Sequence, residues 1–404
     1  MSALTPEYFS AVDNIPSEYW DQLGCCDNIY YTPEFLRAFE LANHDIQFKY
    51  IVILRDGTPV AFANTQIVTI GIETITKNIK LSERWKRAIH RLFCNNNIYV
   101  MFCGNVFLSG EYGTFLRKGE DKIETFRAIA QAVRVLSKRT KRLHAIFVKD
   151  FKEESLYITD HLRKFDYASM NVEPNMIINL KEDWKSFDDY KEALKSKYRV
   201  KANKADSTSA VLEVKRLSSG DILHYKEELQ QLYENTIANA NFNAQVLNLN
   251  TYTHLKETYG DKFIVQGYFN DGQLVGFLSA MLNQRNLDAH FIGLNYDLNK
   301  RFAIYPRILN DYVRIGIAFG ASRINLGRTA SEIKSTLGAC PEELTCYIRH
   351  KRSFPNKLMK PFINNIQIKS FKQHQPFKEE IGSKKKRGHD DLLVSESILI
   401  MSKH

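Results

Sequence analysis

Two segments built on one plan constrain this 404-residue chain more than any other feature. Phe48 to Ala63 is an apolar run, an Asp56-Gly57 pair and a second apolar run, and Phe263 to Leu278 repeats the plan around Asp271-Gly272. Asp-Gly supplies the positive φ angles of a tight two-residue hairpin, so each segment predicts a β-hairpin. The turns lie 215 residues apart, an offset that suggests a duplicated domain.

The residues after each hairpin support duplication. In the first half come a strand at Ile98–Phe102, a helix near Ile123–Lys138 with Phe126, Ile129, Ala130, Val133 and Leu136 on one face, and a strand from Ala145. In the second half come a strand at Leu287–Leu294, a helix at about Tyr305–Phe319 with Ile308, Leu309, Tyr312, Val313 and Ile317 on one face, and a strand at Arg323–Leu326. Strands alternating with helices in this way predict a mixed α/β sheet. The expected organisation is a first domain over 1–180, a basic helical connector over 181–209, a second domain over 210–369, and a flexible basic tail over 370–404.

Charge is unevenly placed. Of the net +10, residues 349–387 carry twelve Lys or Arg against Glu379 and Glu380, and Lys384-Lys-Lys-Arg387 closes that run. Smaller basic patches lie at Lys77–Arg91 and Lys191–Lys204, so a polyanionic partner fits as well as a solvated surface does. With 25 Phe and 20 Tyr the chain is not disordered. No apolar window is long enough for a membrane span, and the N-terminus lacks a signal peptide's pattern, which predicts a cytoplasmic protein. Leu81, Trp85, Ile89 and Leu92 share one helical face with basic residues around it, giving 81–93 two readings, packing on the sheet or lying at the inner face of a membrane. The six cysteines show no metal-ligand spacing and read as free thiols, Cys103 as a small buried hydrophobe, and no metal is expected.

Several pieces carry a family resemblance. These are Phe291-Ile-Gly-Leu-Asn-Tyr296-Asp-Leu-Asn-Lys-Arg301, Phe319-Gly320-Ala, Ile324-Asn-Leu-Gly327-Arg328-Thr, Lys334 and Gly338-Ala, with Ser196-Lys197-Tyr-Arg199, Thr32-Pro-Glu-Phe-Leu36 and Gly104-Asn-Val-Phe-Leu-Ser-Gly110 further upstream. Together they resemble the double-domain acyltransferases of the GNAT superfamily, including Fem-type aminoacyl transferases and acetyltransferase-like proteins of polysaccharide loci. The resemblance implies two tandem GNAT-like domains and an N-acyltransferase. Its donor would be an acyl-coenzyme A, a carrier protein or an aminoacyl-tRNA, and its acceptor an amine on a small molecule, a cell-envelope precursor or a lipid-linked intermediate. One departure stands out: an ordinary member has an Arg/Gln-x-x-Gly-x-Gly/Ala loop for the coenzyme A diphosphate, where this chain has Asn299-Lys-Arg-Phe-Ala-Ile-Tyr305 without glycine.

Acyl transfer to an amine needs a polarised carbonyl and a base for the acceptor ammonium. His290, just before the Gly293 position where the strand would open, is the expected base, set against a hydrogen-bonded sheet histidine. Tyr296 and Tyr305 are expected to protonate the leaving group, set against packing roles. Arg301, Arg328 and Lys334 are expected to clamp donor phosphates at the carboxyl ends of the strands, set against surface ion pairs. The rival functions are a noncatalytic GNAT-like scaffold and an aminoacyl-tRNA-dependent ligase. General nucleic-acid binding rests on the basic patches alone, and neither a dinucleotide fingerprint nor a P-loop is present.

Overall fold

The computed structural model describes residues 3–71, 97–239, 244–364, 368 and 370–378. The amphipathic 81–93 segment and the lysine run at 384–387 lie outside these residues. Among the described residues thirteen strands form one sheet: β1 (Leu4–Phe9), β2 (Gln47–Arg55), β3 (Thr58–Gly71), β4 (Asn97–Cys103), β5 (Thr114–Leu116), β6 (Ala145–Phe151), β7 (Ala168–Asn179), β8 (Glu213–Arg216), β9 (Phe263–Asn270), β10 (Gln273–Asn283), β11 (Asn286–Leu294), β12 (Arg323–Asn325) and β13 (Cys340–His350). Their order across the sheet is β1-β2-β3-β4-β6-β13-β7-β12-β11-β10-β9-β8, with β5 branching from β3.

Both Asp-Gly pairs make the expected turns, with φ of 48° and 78° at Asp56 and Gly57 and 48° and 77° at Asp271 and Gly272. The β2–β3 and β9–β10 hairpins head matching runs: β1-β2-β3-β4-β6 in the first half and β8-β9-β10-β11-β12 in the second. Each run has one parallel pair, β4 with β6 and β11 with β12, joined by a helical crossover. The centre departs from a simple tandem. β7, which comes after the first run, pairs with β12 of the second, while β13, which comes after the second run, pairs with β6 of the first. β7 and β13 then pair with each other, so the halves exchange their last strands and share one uninterrupted ladder.

Both faces of this sheet are covered, which is why strands such as β9 are buried almost end to end rather than alternating polar and apolar. On one face the helices Ser17–Leu23, Pro33–Ala42, Lys226–Ala238 and Asn250–Tyr259 close a core common to both halves, with Tyr50 and Val52 pointing into it. Their neighbours Ile51 and Ile53 point to the other face, under the Lys122–Arg139 helix, which buries Phe126, Ile129, Ala130, Val133 and Leu136 and is capped by Asp121. The Ile304–Ala318 helix covers the same face of the second half. The basic stretch between the halves forms helices Phe187–Ala193 and Ser196–Thr208; the latter packs on Ile304–Ala318 through Asn310 bonding to Ala202 and Asp206. Across the common core Thr32 and Tyr259 share a hydroxyl hydrogen bond of 2.5 Å, and Asn43 donates to Thr251. Among the described residues no helix is long and apolar enough to cross a membrane.

Candidate functional site

Strands β11 and β12 pair for only three residues, from Asn286 opposite Arg323 to Asp288 opposite Asn325. Beyond them Leu326 donates its N–H to Met176, and Met176 donates to Gly327, so this chain turns away along β7 while β11 continues beside β10. A V-shaped opening results, with the carboxyl ends of two parallel strands on its sides, the usual place for a ligand in an open α/β sheet. Within the opening β11 carries a bulge. Leu278 faces Ile292 and Ala280 faces Ala289, so His290 and Phe291 both stand opposite Ser279.

Ser279 pins that bulge. Its hydroxyl donates to the Phe291 carbonyl at 2.8 Å and accepts the Phe291 N–H at 3.0 Å. With the serine proton thus used, the buried Tyr252 hydroxyl 2.7 Å away must be the donor to Ser279. Tyr312 meanwhile donates to the Ser279 carbonyl. The first half lacks this arrangement. Its β4 runs against β3 in unbroken register from Thr65–Cys103 to Gly71–Asn97. The Lys149 ammonium fills the space beyond, donating to the carbonyls of Asn105 and Leu108 and pairing with Asp150 at 2.9 Å.

His290 sits in the bulge, its ring 6.0 Å from that of Phe263 and its Nε2 3.3 Å from the Tyr30 hydroxyl. Burial lowers its pKa to about 4, so the imidazole is neutral at neutral pH. Tyr296 opens the short helix Tyr296–Phe302 and remains 42% exposed. Tyr305, in the first turn of Ile304–Ala318, is largely buried, which pushes its phenol up. The glycine-free loop between β11 and the long helix is thus itself helical, and Ala303 takes up the left-handed turn at φ 49°. Arg301 lays its guanidinium over the Phe302 ring at 4.9 Å. Arg328 is ion-paired with the buried Asp150. Lys334 places its three N–H donors on the carbonyls of Leu326, Gly327 and Arg328, and burial lowers its pKa to about 7. Tyr296, Tyr305 and Arg301 therefore lie beyond the end of β11, Arg328 and Lys334 meet beyond the end of β12, and His290 stands between them in the strand.

The residues present do not form a diphosphate cradle. At the start of Ile304–Ala318 the Asn299 side-chain oxygen already accepts the Tyr305 N–H at 2.8 Å, and the Arg307 N–H donates to the Ala303 carbonyl. Lys334 uses its donors on its own backbone, Arg328 is tied to Asp150 and only partly exposed, with its Nε unpartnered, and Arg301 is the most exposed cation of the three. The chemistry of the site therefore rests on the bulge and its neighbours.

Beside the opening, the halves enclose a cleft of about 360 Å³ lined by polar residues of both. Tyr112 and Asp288 form its inner end, and Lys152, Arg323 and Glu342 are ion-paired along it at 3.3 and 2.8 Å. Asp288 accepts from the Tyr30 hydroxyl at 2.9 Å, and burial raises its carboxyl above the usual range. Burial, followed by the Asp288 charge, likewise pushes the Tyr112 phenol up. Among the described residues no group of three His, Cys, Asp or Glu is placed to hold a metal ion. Tyr30, Asp288, Ser279 and Lys149 carry no sequence signal of their own, since their partners are up to 260 positions away.

The sequence matches no family model and no curated protein. Solved structures share the fold. FemX superimposes with a TM-score of 0.53 at 12% identity over 89% of this chain and 100% of its own. A tandem GNAT protein from the clavulanic acid biosynthesis pathway gives 0.51 at 9% identity over 86% of this chain and 99% of its own. The chain therefore has the tandem GNAT-like fold of Fem-type proteins.

Proposed function

We propose that the chain is an N-acyltransferase with one acyl-transfer site, in the β11–β12 opening of the second half. The observation that carries this reading is the asymmetry between the halves: a pinned bulge and parted strands in one, unbroken register and a lysine filling the gap in the other. An activated acyl donor lies in the opening with its carbonyl at the bulge, where a fixed backbone dipole polarises it before the reaction begins. The acceptor amine attacks the carbonyl carbon, the carbon–sulfur or carbon–oxygen bond to the carrier breaks, and an amide forms. His290, neutral and in the bulge, takes the amine's proton. Tyr305, or Tyr296 nearer solvent, returns a proton to the leaving group, and Arg301 meets the donor's anionic part. Holding both reactants at the bulge supplies much of the acceleration. The reading keeps the enzyme in the cytoplasm, with 81–93 as the segment that would meet a membrane face.

The donor class is tested first. Thermal-shift and calorimetric titrations with coenzyme A, acetyl-coenzyme A and a longer acyl-coenzyme A are run on the full chain, Arg301→Ala and Tyr305→Phe. Saturable binding weakened by Arg301→Ala identifies a coenzyme A thioester. Absence of binding directs the assay to acyl carrier protein and aminoacyl-tRNA donors, and failure of acyl transfer to a panel of amines with all three classes leaves a noncatalytic scaffold and rejects the proposal.

A further inference from the structure

An imidazole that takes a proton in a buried site must pass it on before the next turnover. Burial makes the imidazolium costly, and nothing cationic is wanted beside an ammonium that is being neutralised. The groups around His290 are Phe263 from β9, which has no proton to exchange, Tyr30 from the loop ahead of Pro33–Ala42, and, through Tyr30, Asp288 on β11 and Tyr112. Tyr30 is fully buried, and its hydroxyl lies between the two titratable groups, 2.9 Å from Asp288 Oδ2 and 3.3 Å from His290 Nε2. One phenol has one proton. Since it donates to the carboxylate, the short contact on its other side makes sense only if Nε2–H donates to the tyrosine oxygen. The lone pair that can accept a proton is then the one on Nδ1.

We infer that the first half supplies Tyr30 as the middle member of a proton route, His290–Tyr30–Asp288, that carries the acceptor amine's proton from the bulge to the cleft between the halves. The inference rests on the acyl-transfer reading of the bulge. The proton leaves the amine nitrogen for Nδ1. Nε2 releases its own proton to the Tyr30 oxygen, and the phenol proton moves to Asp288. The imidazole ends neutral with its hydrogen on the other nitrogen, the phenol is unchanged in composition, and the carboxylate becomes a carboxylic acid. Transfer onto Asp288 removes two buried charges at once, and Asp288, unlike His290, lines the polar cleft, with the exposed Glu154 and the Lys152 ammonium at its rim. Release there, followed by the reverse tautomer shift, resets the chain. Burial raises Asp288, and the cleft groups that oppose this are Tyr30, Asn325, Arg323 and Lys152, two neutral donors and two cations.

The route predicts a tautomer that packing alone would not fix. In full-length protein with 15N-labelled histidine, His290 is expected as the Nε2–H tautomer. Asp288→Asn replaces an acceptor by an amide whose N–H can donate to the Tyr30 oxygen. The phenol proton then turns to Nε2, and His290 is expected to switch to Nδ1–H, while Tyr30→Phe, which keeps the ring contacts with Phe35 and Tyr112 at 5.0 and 4.2 Å, leaves both tautomers populated. In the acyl-transfer assay, Tyr30→Phe is expected to lower kcat about 100-fold, the lower end for acid–base transfer, with KM little changed. An unchanged His290 tautomer in Asp288→Asn refutes the chain whatever the activity. A tautomer switch with undiminished kcat in Tyr30→Phe refutes the route, because the chain would then be structural. A switch in a protein that transfers no acyl group rejects the acyl-transfer reading instead, so the two failures are distinct. Should Tyr30→Phe not fold, the isosteric Asp288→Asn reads both tautomer and kcat alone.

Discussion

Replacing Ser279 by alanine isolates the contact that shapes the bulge. The hydroxyl is fully buried and serves three groups: the Phe291 carbonyl, the Phe291 N–H and the Tyr252 phenol. A buried polar group left unpaired costs about 1–3 kcal/mol. Phe291 is only half-buried, so its backbone can recover water, but the Tyr252 hydroxyl is sealed in the core. The expected loss is therefore about 2–4 kcal/mol, nearer the cost of one orphaned phenol plus a weakened bulge than of three orphans. Tyr252→Phe removes the phenol proton and leaves serine with its two backbone bonds, for an expected loss of about 1 kcal/mol. In the double variant no phenol is stranded, so the combined cost should fall short of the sum by about 1 kcal/mol, as coupled neighbours do. Urea unfolding of the four proteins measures this directly, the m-value checking that the unfolded state is unchanged. A cost below about 0.5 kcal/mol for Ser279→Ala, within the range of ordinary surface changes, or strictly additive losses, would refute the pinning of β11 by this hydroxyl.

The same geometry sets three further expectations. Lys149→Met strips Asp150 of one of its two cations and leaves the Asn105 and Leu108 carbonyls unmet; a loss of about 3 kcal/mol by urea unfolding is expected, with no donor binding gained in the first half by calorimetry. Stability should also fall in two pH windows. His290 has a folded pKa of about 4 against an ordinary 6.5, so the unfolded chain binds the proton first and stability is lost as pH drops through that interval. Burial alone would raise Asp150, but Lys149 and Arg328 hold it below its ordinary 3.8, so its contribution is present above that value and lost below it. Urea midpoints at pH 7, 5.5 and 4.5 should therefore converge between wild type and His290→Gln as pH falls, while Asp150→Asn should differ in slope from wild type only when the series is carried below Asp150's ordinary 3.8. Asn299→Ala should cost about 1 kcal/mol in the same assay, as loss of a side-chain cap does, because the Tyr305 N–H loses its acceptor.

The parts of this fold that were legible in the sequence are those set by near neighbours. Asp-Gly turns, the apolar stripe of Lys122–Arg139 and the strand starting at Ala145 each depend on residues a few positions apart, and each forms where its pattern sits. Exchange of β7 and β13 was not legible, because both strands read as strands whichever partner they take, and the choice is made by a sheet assembled from residues as far apart as Ala168 and Ile348. The site divides the same way. His290 was visible from its place just before Gly293, where the strand would open, and the helix after β11 gave Arg301 and Tyr305 an address. Tyr30 was one of 20 tyrosines until the fold set it against β11. A cationic side chain announces a charge but not its destination: Lys334 and Arg328 look alike to Arg301 in sequence, yet an inward turn at Thr329 and Ala330, both with positive φ, takes Lys334 under its own backbone.

The first half does more than repeat the second. Asp150, at the end of β6, accepts from Lys149, from Arg328, from the Gly110 N–H and from the Cys346 thiol. The lysine that fills the first half's gap and the arginine beyond the second half's β12 thus share one buried carboxylate. Without Lys149, Asp150 would face Arg328 with its burial less fully compensated; without Asp150, two cations would be left close together. The closed gap and the open one are therefore linked: the group that occupies the first half's opening also holds the strand end that departs to make the second half's. Because β13 lies between β6 and β7, this linkage runs through the exchanged strands, with Cys346 on β13 touching Asp150 on β6 while Arg328 reaches it from beyond β12. On the acyl-transfer reading proposed above, a first half that keeps its sheet, fills its own opening and contributes Tyr30 and Asp150 across the join would serve as a wall and proton outlet for the second.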